Sequence, residues 1–212
     1  MEDRDNAGLY LEMTDTPAAE YAAQRVLEVL AAPSVTRATW WANVRRGRDD
    51  LPRVLPEFDL LGAYEVEPDF TGPEPPTGIR GHHFRRTPRP GQGRLTGRPT
   101  IGLSLVLISP REPVRAQDLR DWGDFVHIRH IAEVAVPGYT MITPYERVGG
   151  GDPRFLHCYE MDTDDPEAAF QAMTPLVQAR LDDQDAFRAW AWHDALRIMY
   201  VNSFRLLGAR TR

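Results

Sequence analysis

The sequence predicts an α+β fold made of two ferredoxin-like repeats whose antiparallel sheets join into one barrel. Residues 25–36 align with residues 129–140 around a shared proline, at an offset of 104 residues. Residues 61–66 align with residues 156–161 at an offset of 95 residues. Each copy has the order strand, helix, strand, strand. Because eight strands from two such units enclose room for side chains or one small ligand, the duplication also predicts a cavity.

Composition places the chain among ordinary globular proteins. Of its 212 residues, 42% are hydrophobic and 26% are charged, so a core can form without disulfides or structural metals. The single cysteine, Cys158, excludes an intrachain disulfide and suits a reducing compartment. The sequence shows no signal peptide and no apolar run of about 20 residues, and its net charge of −6 disfavours general nucleic-acid affinity. We therefore expect a cytoplasmic protein that binds neither membranes nor nucleic acids.

All 25 basic residues are arginines, which excludes several mechanisms. Without a lysine, the chain cannot form a Schiff base, anchor pyridoxal phosphate or build a phosphate-binding loop of the usual type. The sequence also lacks the glycine fingerprint of dinucleotide-binding folds, the nucleophile elbow of hydrolases and the zinc-binding HExxH pattern. Acid–base chemistry by other side chains is therefore the kind of catalysis that the sequence favours.

The first repeat, residues 8–98, is regular only in its first two thirds. Pro17 suits the first turn of a helix, and the apolar residues after it recur at helical spacing. Residues 67–99 break the pattern, because they are rich in proline, glycine and arginine and lack a second helix. We interpret them as the degenerate end of the repeat and an arginine-rich connector. The predicted elements are strands 8–13, 35–44, 58–66 and a short strand 81–86, with one helix at 18–31.

The second repeat, residues 100–207, is more complete. Its first segment is apolar enough for a strand that is buried on both faces. The long helix that follows ends at the Pro137-Gly138 turn. Strand and helix patterns then continue in the β-α-β-β-α-β order of a ferredoxin-like unit. The predicted elements are strands 100–108, 139–148, 155–161 and 196–204, and helices 117–135, 164–181 and 187–192.

A short motif in the second repeat resembles that of EthD-like proteins in the dimeric α/β-barrel superfamily. Trp122 is followed five residues later by His127, and Val136-Pro-Gly-Tyr139 then leads into a strand. The architecture matches over residues 8–207, but the first repeat has Ala23 in place of His127. The resemblance implies antiparallel sheets covered by helices, and it leaves a homodimer open. It also implies a wide range of activities, which includes cofactor-independent oxygenases, polyketide cyclases, isomerases and haem enzymes.

The helix of this motif carries the strongest candidates for catalysis. His127 and His130 lie three residues apart and therefore on one helix face, opposite an apolar centre near Phe125, Ile128 and Ala132. Asp124 precedes His127 by three residues and Glu133 follows His130 by three, so each carboxylate can orient one imidazole and raise its basicity. Three interpretations stay open: a catalytic or ligand-contacting histidine, a solvated helix face, or a metal site, for which no third ligand is evident.

Aromatic residues and a third histidine add further candidates in the second repeat. Tyr145 and His157 on the predicted hairpin could polarise substrate oxygens, and we group them with His127, His130 and Asp124 as catalytic candidates. Ordinary core packing is the alternative for the tyrosines, because the first repeat has aromatic residues at the matching positions. The candidate substrate-binding residues are Trp122, Glu133, Tyr139, Tyr159 and Trp190.

These residues predict an enzyme that acts on a small, apolar, aromatic or polyketide-like molecule of secondary metabolism. Histidine acid–base chemistry would drive a cofactor-independent cyclisation, isomerisation, elimination by a lyase or monooxygenation, without metal or cofactor. A haem protein with a helix histidine as axial ligand is one alternative, and a non-catalytic binder of hydrophobic ligands is another. The arginine-rich connector is interpreted as a solvated linker, an anion-binding segment or a lid. On this interpretation the first repeat is a scaffold and the second bears the site.

Overall fold

Nine strands and six α-helices make up residues 8–212, which are the residues that the computed structural model describes. A 3-10 turn, Pro113–Arg115, precedes α3, and a π-helical turn, Gly123–His127, joins α3 to α4. The strands are β1 Gly8–Thr14, β2 Val35–Asn43, β3 Leu60–Val66, β4 Arg80–Arg86, β5 Gln92–Gly93, β6 Gly102–Pro110, β7 Tyr139–Arg147, β8 Phe155–Met161 and β9 Leu196–Thr211. The helices are α1 Ala18–Ala23, α2 Arg25–Leu30, α3 Ala116–Trp122, α4 Ile128–Glu133, α5 Pro166–Leu181 and α6 Gln184–Ala191.

The strands form one antiparallel sheet that closes on itself. Their order is β4-β1-β3-β2-β9-β6-β8-β7-β5, and β4 also pairs with β7. The first four strands and the next four therefore repeat the same local order, as two ferredoxin-like sheets do. The predicted α+β fold, with antiparallel sheets of two repeats closing into a barrel, is confirmed.

The arginine-rich connector is more structured than its composition indicates. The short strand predicted at 81–86 is β4, which pairs with β1 on one side and with β7 on the other. The first repeat thus has its fourth strand without the second helix that normally precedes it. The connector closes the barrel, so the interpretation as a mere solvated linker is wrong for this part of it.

Two predicted boundaries need correction. The first-repeat helix breaks at Gln24 into α1 and α2. The last strand continues past the predicted end at residue 204 as far as Thr211, because residues 204–211 pair with β2 of the other repeat. This pairing between repeats has no local sequence signal, since the strand segment is polar and exposed at its end.

Apolar side chains fill the barrel and cover its outer surface. The interior cluster takes residues from both repeats, among them Leu11, Phe84, Leu105, Leu156 and Phe204, each buried. Outside the barrel, α1 and α2 pack on the first repeat, and α4, α5 and α6 pack on the second. The space between helices and sheet in the second repeat is therefore separate from the barrel interior.

Candidate functional site

A cavity of about 470 Å³ lies between the outer face of the second-repeat sheet and the helices that cover it. Its wall is mainly apolar, with histidines, a tyrosine and a few other polar groups among the apolar residues. The loop between β2 and β3 of the first repeat also reaches the cavity, through Asp50 and Leu51. The sheet supplies Val106, Ile108, His157, Tyr159, Ile198 and Val201, and the helices supply Trp122, His127, Phe170, Met173 and Trp190.

His127 lies at the end of the π-helical turn and lines this cavity. Its Nδ1 lies 3.0 Å from the carbonyl oxygen of Trp190. A carbonyl oxygen can only accept a hydrogen bond, so Nδ1 carries the proton in the neutral ring and Nε2 keeps its lone pair. Burial lowers the pKa of His127 to about 4. The side chain is therefore a neutral imidazole at pH 7, with a fixed tautomer and Nε2 as the basic nitrogen.

Two indole rings enclose the imidazole of His127. The ring of Trp190 stacks on it with centroids 5.1 Å apart and planes 9° from parallel, and the ring of Trp122 lies 4.9 Å away. Trp190 Nε1 donates to the carbonyl oxygen of His127 at 3.0 Å, and Trp122 Nε1 donates to that of Ala189 at 2.7 Å. These bonds tie α6 to the π-helical turn, so the position of His127 is fixed from both sides.

A second histidine reaches the cavity from the sheet. His157 on β8 is buried, and its Nε2 lies 3.2 Å from Oδ1 of Asp124, which is buried as well. Oδ2 of Asp124 lies 3.3 Å from Nη1 of Arg89, which extends from the connector. Gly123 makes room for this arrangement, since a Cβ atom there would come within 2.8 Å of Cε1 of His157. The lack of a side chain at Gly123 therefore allows His157 to occupy its position beside Asp124.

The predicted pairing of Asp124 with His127 is wrong. Asp124 bonds His157 instead, because the π-helical turn contains an extra residue that rotates Asp124 inward and leaves Phe125 about 50% exposed. Of the predicted apolar centre, Ile128 is buried together with Ile131, whereas Phe125 is exposed. A sequence read at regular helical spacing cannot detect such a shift.

His130 and Glu133 lie away from the cavity. His130 Nδ1 is 3.6 Å from a carboxylate oxygen of Glu133, and both side chains are about 30% exposed. Glu133 also pairs with Arg129 at 2.8 Å and with Arg180 at 2.9 Å. These guanidinium groups lower the pKa of Glu133, which is typical of a carboxylate in a surface ion-pair network.

The predicted aromatic residues divide between three places. Trp122, Trp190 and Tyr159 line the cavity. Tyr139 packs edge-on against Tyr159, with ring centroids 5.8 Å apart, and does not reach the cavity wall. Tyr145 packs against the barrel interior, on the other side of the sheet. Tyr145 therefore does not line the cavity that His127 and His157 share.

The sequence analysis did not single out Arg48, and it included Arg89 only as one arginine of the connector. Arg89 reaches Asp124 from the connector, and Arg48 in the β2–β3 loop is buried against α5, where it pairs with Glu167 and lies 4.6 Å from the ring of Phe170. The α5 partner of Arg48 lies 119 residues away in the sequence, so no local pattern indicates this pair.

Comparisons with known proteins find similarity in structure alone. No protein-family model and no curated protein matches the sequence. The structure of an anthrone oxidase-like protein is similar over 99% of this chain and 94% of that chain, with a TM-score of 0.60 and 16% identity. A candidate monooxygenase from Fusobacterium nucleatum subsp. nucleatum has a TM-score of 0.55 and 5% identity over 98% of this chain and 94% of its own. A chlorite dismutase variant from Candidatus Nitrospira defluvii has a TM-score of 0.52 and 12% identity, over 97% of this chain and 92% of its own.

The chain has the dimeric α/β-barrel fold. The sheet order and the closure of β4 on β7 decide this, and the similar structures share the fold over nearly the whole chain. The resemblance that the Trp122–His127 motif carried is thus confirmed at the level of the fold. At these identities the similarity shows the fold alone.

In this α/β barrel the two repeats have different residues at equivalent positions of their sheets. Glu12 pairs with Gly62 in the first repeat as Val106 pairs with His157 in the second. Tyr21 fills the first-repeat position, since a Cβ on Gly62 would come within 1.9 Å of its hydroxyl oxygen. Its hydroxyl group donates to Glu12 at 2.7 Å, and Arg25 also pairs with Glu12 at 2.6 Å. A buried polar network thus occupies the place where the second repeat has its cavity. Tyr64 also belongs to this network, because its hydroxyl group is hydrogen-bonded to that of Tyr21.

The described residues contain neither a cluster of metal ligands nor a membrane-spanning helix. Within residues 8–212, no group of three or more histidine, cysteine or acidic side chains is arranged to hold a metal ion. None of the helices in this range is long and apolar enough to cross a membrane. A cytoplasmic location and a homodimer stay predictions.

Proposed function

We propose that this protein is an enzyme that binds an uncharged aromatic or polyketide-like molecule in the second-repeat cavity and removes a proton from it. The observation that carries the proposal is His127, a neutral imidazole with a fixed tautomer at the wall of an apolar cavity. A base that must act at neutral pH has to be unprotonated at rest, and burial ensures this. No cofactor enters the proposed step.

The proton would come from a carbon or hydroxyl group that a neighbouring carbonyl acidifies. Nε2 of His127 accepts this proton, and the negative charge moves to the carbonyl oxygen of the substrate. His157, held by Asp124, is the group on the facing wall that can donate a hydrogen bond to a developing oxyanion after its ring turns or is protonated. The resulting anion can cyclise, isomerise, eliminate a leaving group or react with oxygen.

Among these outcomes, oxygenation has the most support. Two of the similar structures belong to an anthrone oxidase-like protein and a candidate monooxygenase. An anthrone suits the cavity because it is planar, uncharged and apolar, and its CH₂ group is acidified through the ring by the opposite carbonyl. Its conversion consumes one molecule of oxygen, turns the CH₂ group into a second carbonyl and releases one molecule of water.

Oxygen uptake with an anthrone as substrate tests the proposal. The purified protein should consume one oxygen per anthrone oxidised, and His127→Gln should reduce the rate above background by at least about 100-fold. His130→Gln is the matched control, because His130 lies outside the cavity, and it should keep the wild-type rate. If anthrone binds but none of the three proteins consumes oxygen above background, the protein is a binder of hydrophobic ligands. If His127→Gln oxidises anthrone at the wild-type rate, His127 is not the base.

Haem is the second candidate, and the cavity does not fit it. Nε2 of His127 has the chemistry of an axial ligand, because its Nδ1 is bonded to a backbone carbonyl. The two propionates of haem require basic partners, yet the described residues that line the cavity include no arginine, while Asp50 contributes a negative charge at the rim. Addition of haem should therefore give no Soret band above that of free haem.

A further inference from the structure

His127 lacks the carboxylate partner that usually stabilises a catalytic imidazolium. In the described part of the chain, its ring has one hydrogen bond, from Nδ1 to the carbonyl oxygen of Trp190, and no acidic side chain within ion-pair distance. Burial lowers its pKa, and the nearby His157 on β8 and His130 on its own helix act in the same direction. The proton that the proposed function assigns to this ring therefore needs another source of stabilisation.

The two indoles are oriented to provide it. Both ring centroids lie about 5 Å from that of the imidazole, at 4.9 Å for Trp122 and 5.1 Å for Trp190. Both indole N–H groups are engaged by backbone carbonyls, so the rings are held in place. The face of an indole carries partial negative charge and attracts a cation within about 6 Å of its centre. No water needs to approach for this attraction to act, which suits an apolar cavity.

We propose that Trp122 and Trp190 stabilise the imidazolium form of His127 by cation–π interaction, in place of a carboxylate. Such a partner has a consequence that a carboxylate would not have. A carboxylate would raise the pKa of the resting imidazole more than the weaker attraction of two indoles does, and with the indoles the ring stays neutral until a substrate proton arrives. The catalytic meaning rests on the proposed function, but the electrostatic effect on His127 exists in the resting protein and can be measured there.

The groups that face this ring from each packed element are few. They are His157 from β8, His130 from α4, the two indoles from α3 and α6, and His193, whose ring lies 5.7 Å from that of Trp122. Three of these groups are other histidines, so their signals are followed together with that of His127 when an indole is changed.

Fluorinated tryptophans provide the test, because fluorine weakens the negative face of the indole with little change in its size or in its N–H bond. The titration of His127 is followed by NMR in protein with ¹³C-labelled histidine, and His127→Gln assigns its signal among the six histidines. Trifluorotryptophan at position 122 or 190 should each lower the titration midpoint by about half a pH unit, and monofluorotryptophan by less. Trp192 is the matched control, since it faces Arg111 rather than His127 and is 44% exposed.

The outcomes separate this inference from the proposed function. A graded fall at positions 122 and 190, with none at 192, supports the cation–π interaction even if anthrone is not a substrate. A midpoint that does not move across the series overturns it, even if anthrone is oxidised and His127 proves essential. Circular dichroism of each analogue confirms that the fold is kept, so that a lost signal is not mistaken for a shifted one.

Discussion

Gly123→Ala is the most informative single substitution in this site. The residue has ordinary helical dihedral angles, so alanine fits the backbone and should by itself stabilise the helix by up to ~1 kcal/mol. The added Cβ would lie 2.8 Å from Cε1 of His157, however, whereas carbon atoms in contact normally lie about 3.5–4.0 Å apart. The imidazole must therefore move by roughly 0.7–1.2 Å. The cavity beside it gives it space to do so.

The cost of this movement is the hydrogen bond to Asp124. The bond is already long at 3.2 Å, and a shift of this size takes it past the limit of a useful hydrogen bond. A hydrogen bond to a charged group contributes about 1.5–3 kcal/mol, which exceeds the helix gain of up to ~1 kcal/mol. We therefore expect Gly123→Ala to lower the free energy of unfolding by about 1 kcal/mol, in spite of the better helix former.

Urea unfolding of four proteins tests this reasoning: the wild type, Gly123→Ala, His157→Ala and the double variant. In the His157→Ala background the clash is absent, so Gly123→Ala should be neutral or stabilising. The sign of the effect should thus reverse between the two backgrounds. If Gly123→Ala raises stability equally in both, His157 does not depend on the missing Cβ of Gly123, and the proposed coupling between these two residues is wrong.

Three more predictions follow from the same structure. Because the pKa of His127 is lowered from 6.5 to about 4 in the folded chain, the unfolded chain binds more protons between these pH values. The free energy of unfolding therefore falls as the pH drops through this range. His127→Gln should remove about 1–2 kcal/mol of that loss, measured by urea unfolding at pH 7 and pH 4.5. Glu12→Gln removes the buried partner of Arg25 and leaves it only the exposed Glu28 as an ion-pair partner among the described residues, so it should cost about 3 kcal/mol in the same assay, whereas Arg37→Gln at an exposed pair should cost less than about 0.5 kcal/mol. Arg48→Ala removes the contact between the β2–β3 loop and α5 and should weaken anthrone binding about tenfold, measured by quenching of tryptophan fluorescence.

The sequence predicted the barrel because the internal duplication and the alternation of apolar and polar residues can both be recognised directly in the sequence. Helical spacing also placed His127 and Trp122 on one helix correctly. It failed for Asp124, because one extra residue in a π-helical turn changes which side chains point inward, and no residue type announces that turn. It gave no sign of Arg48 and placed Arg89 in the connector without its partner, since a buried arginine resembles a solvated one until its distant acidic partner is known. Closure of the barrel by β4 depended on a pairing between repeats, which propensity alone cannot show.

Fusion of the two repeats explains how one half can be open and the other filled. In a symmetric pair of identical units, a substitution at the position of Glu12 would also occur at the position of Val106, so both sites would be filled or both open. In a single chain the two positions are independent, and the first repeat can carry the buried polar network of Glu12 while the second keeps a cavity. The same independence applies to the loops. Residues 44–59 of the first repeat reach across to the second-repeat cavity through Asp50, whereas the shorter loop at residues 148–154 does not line that cavity. The half that contains the cavity is therefore not self-sufficient, and the other half supplies part of its wall.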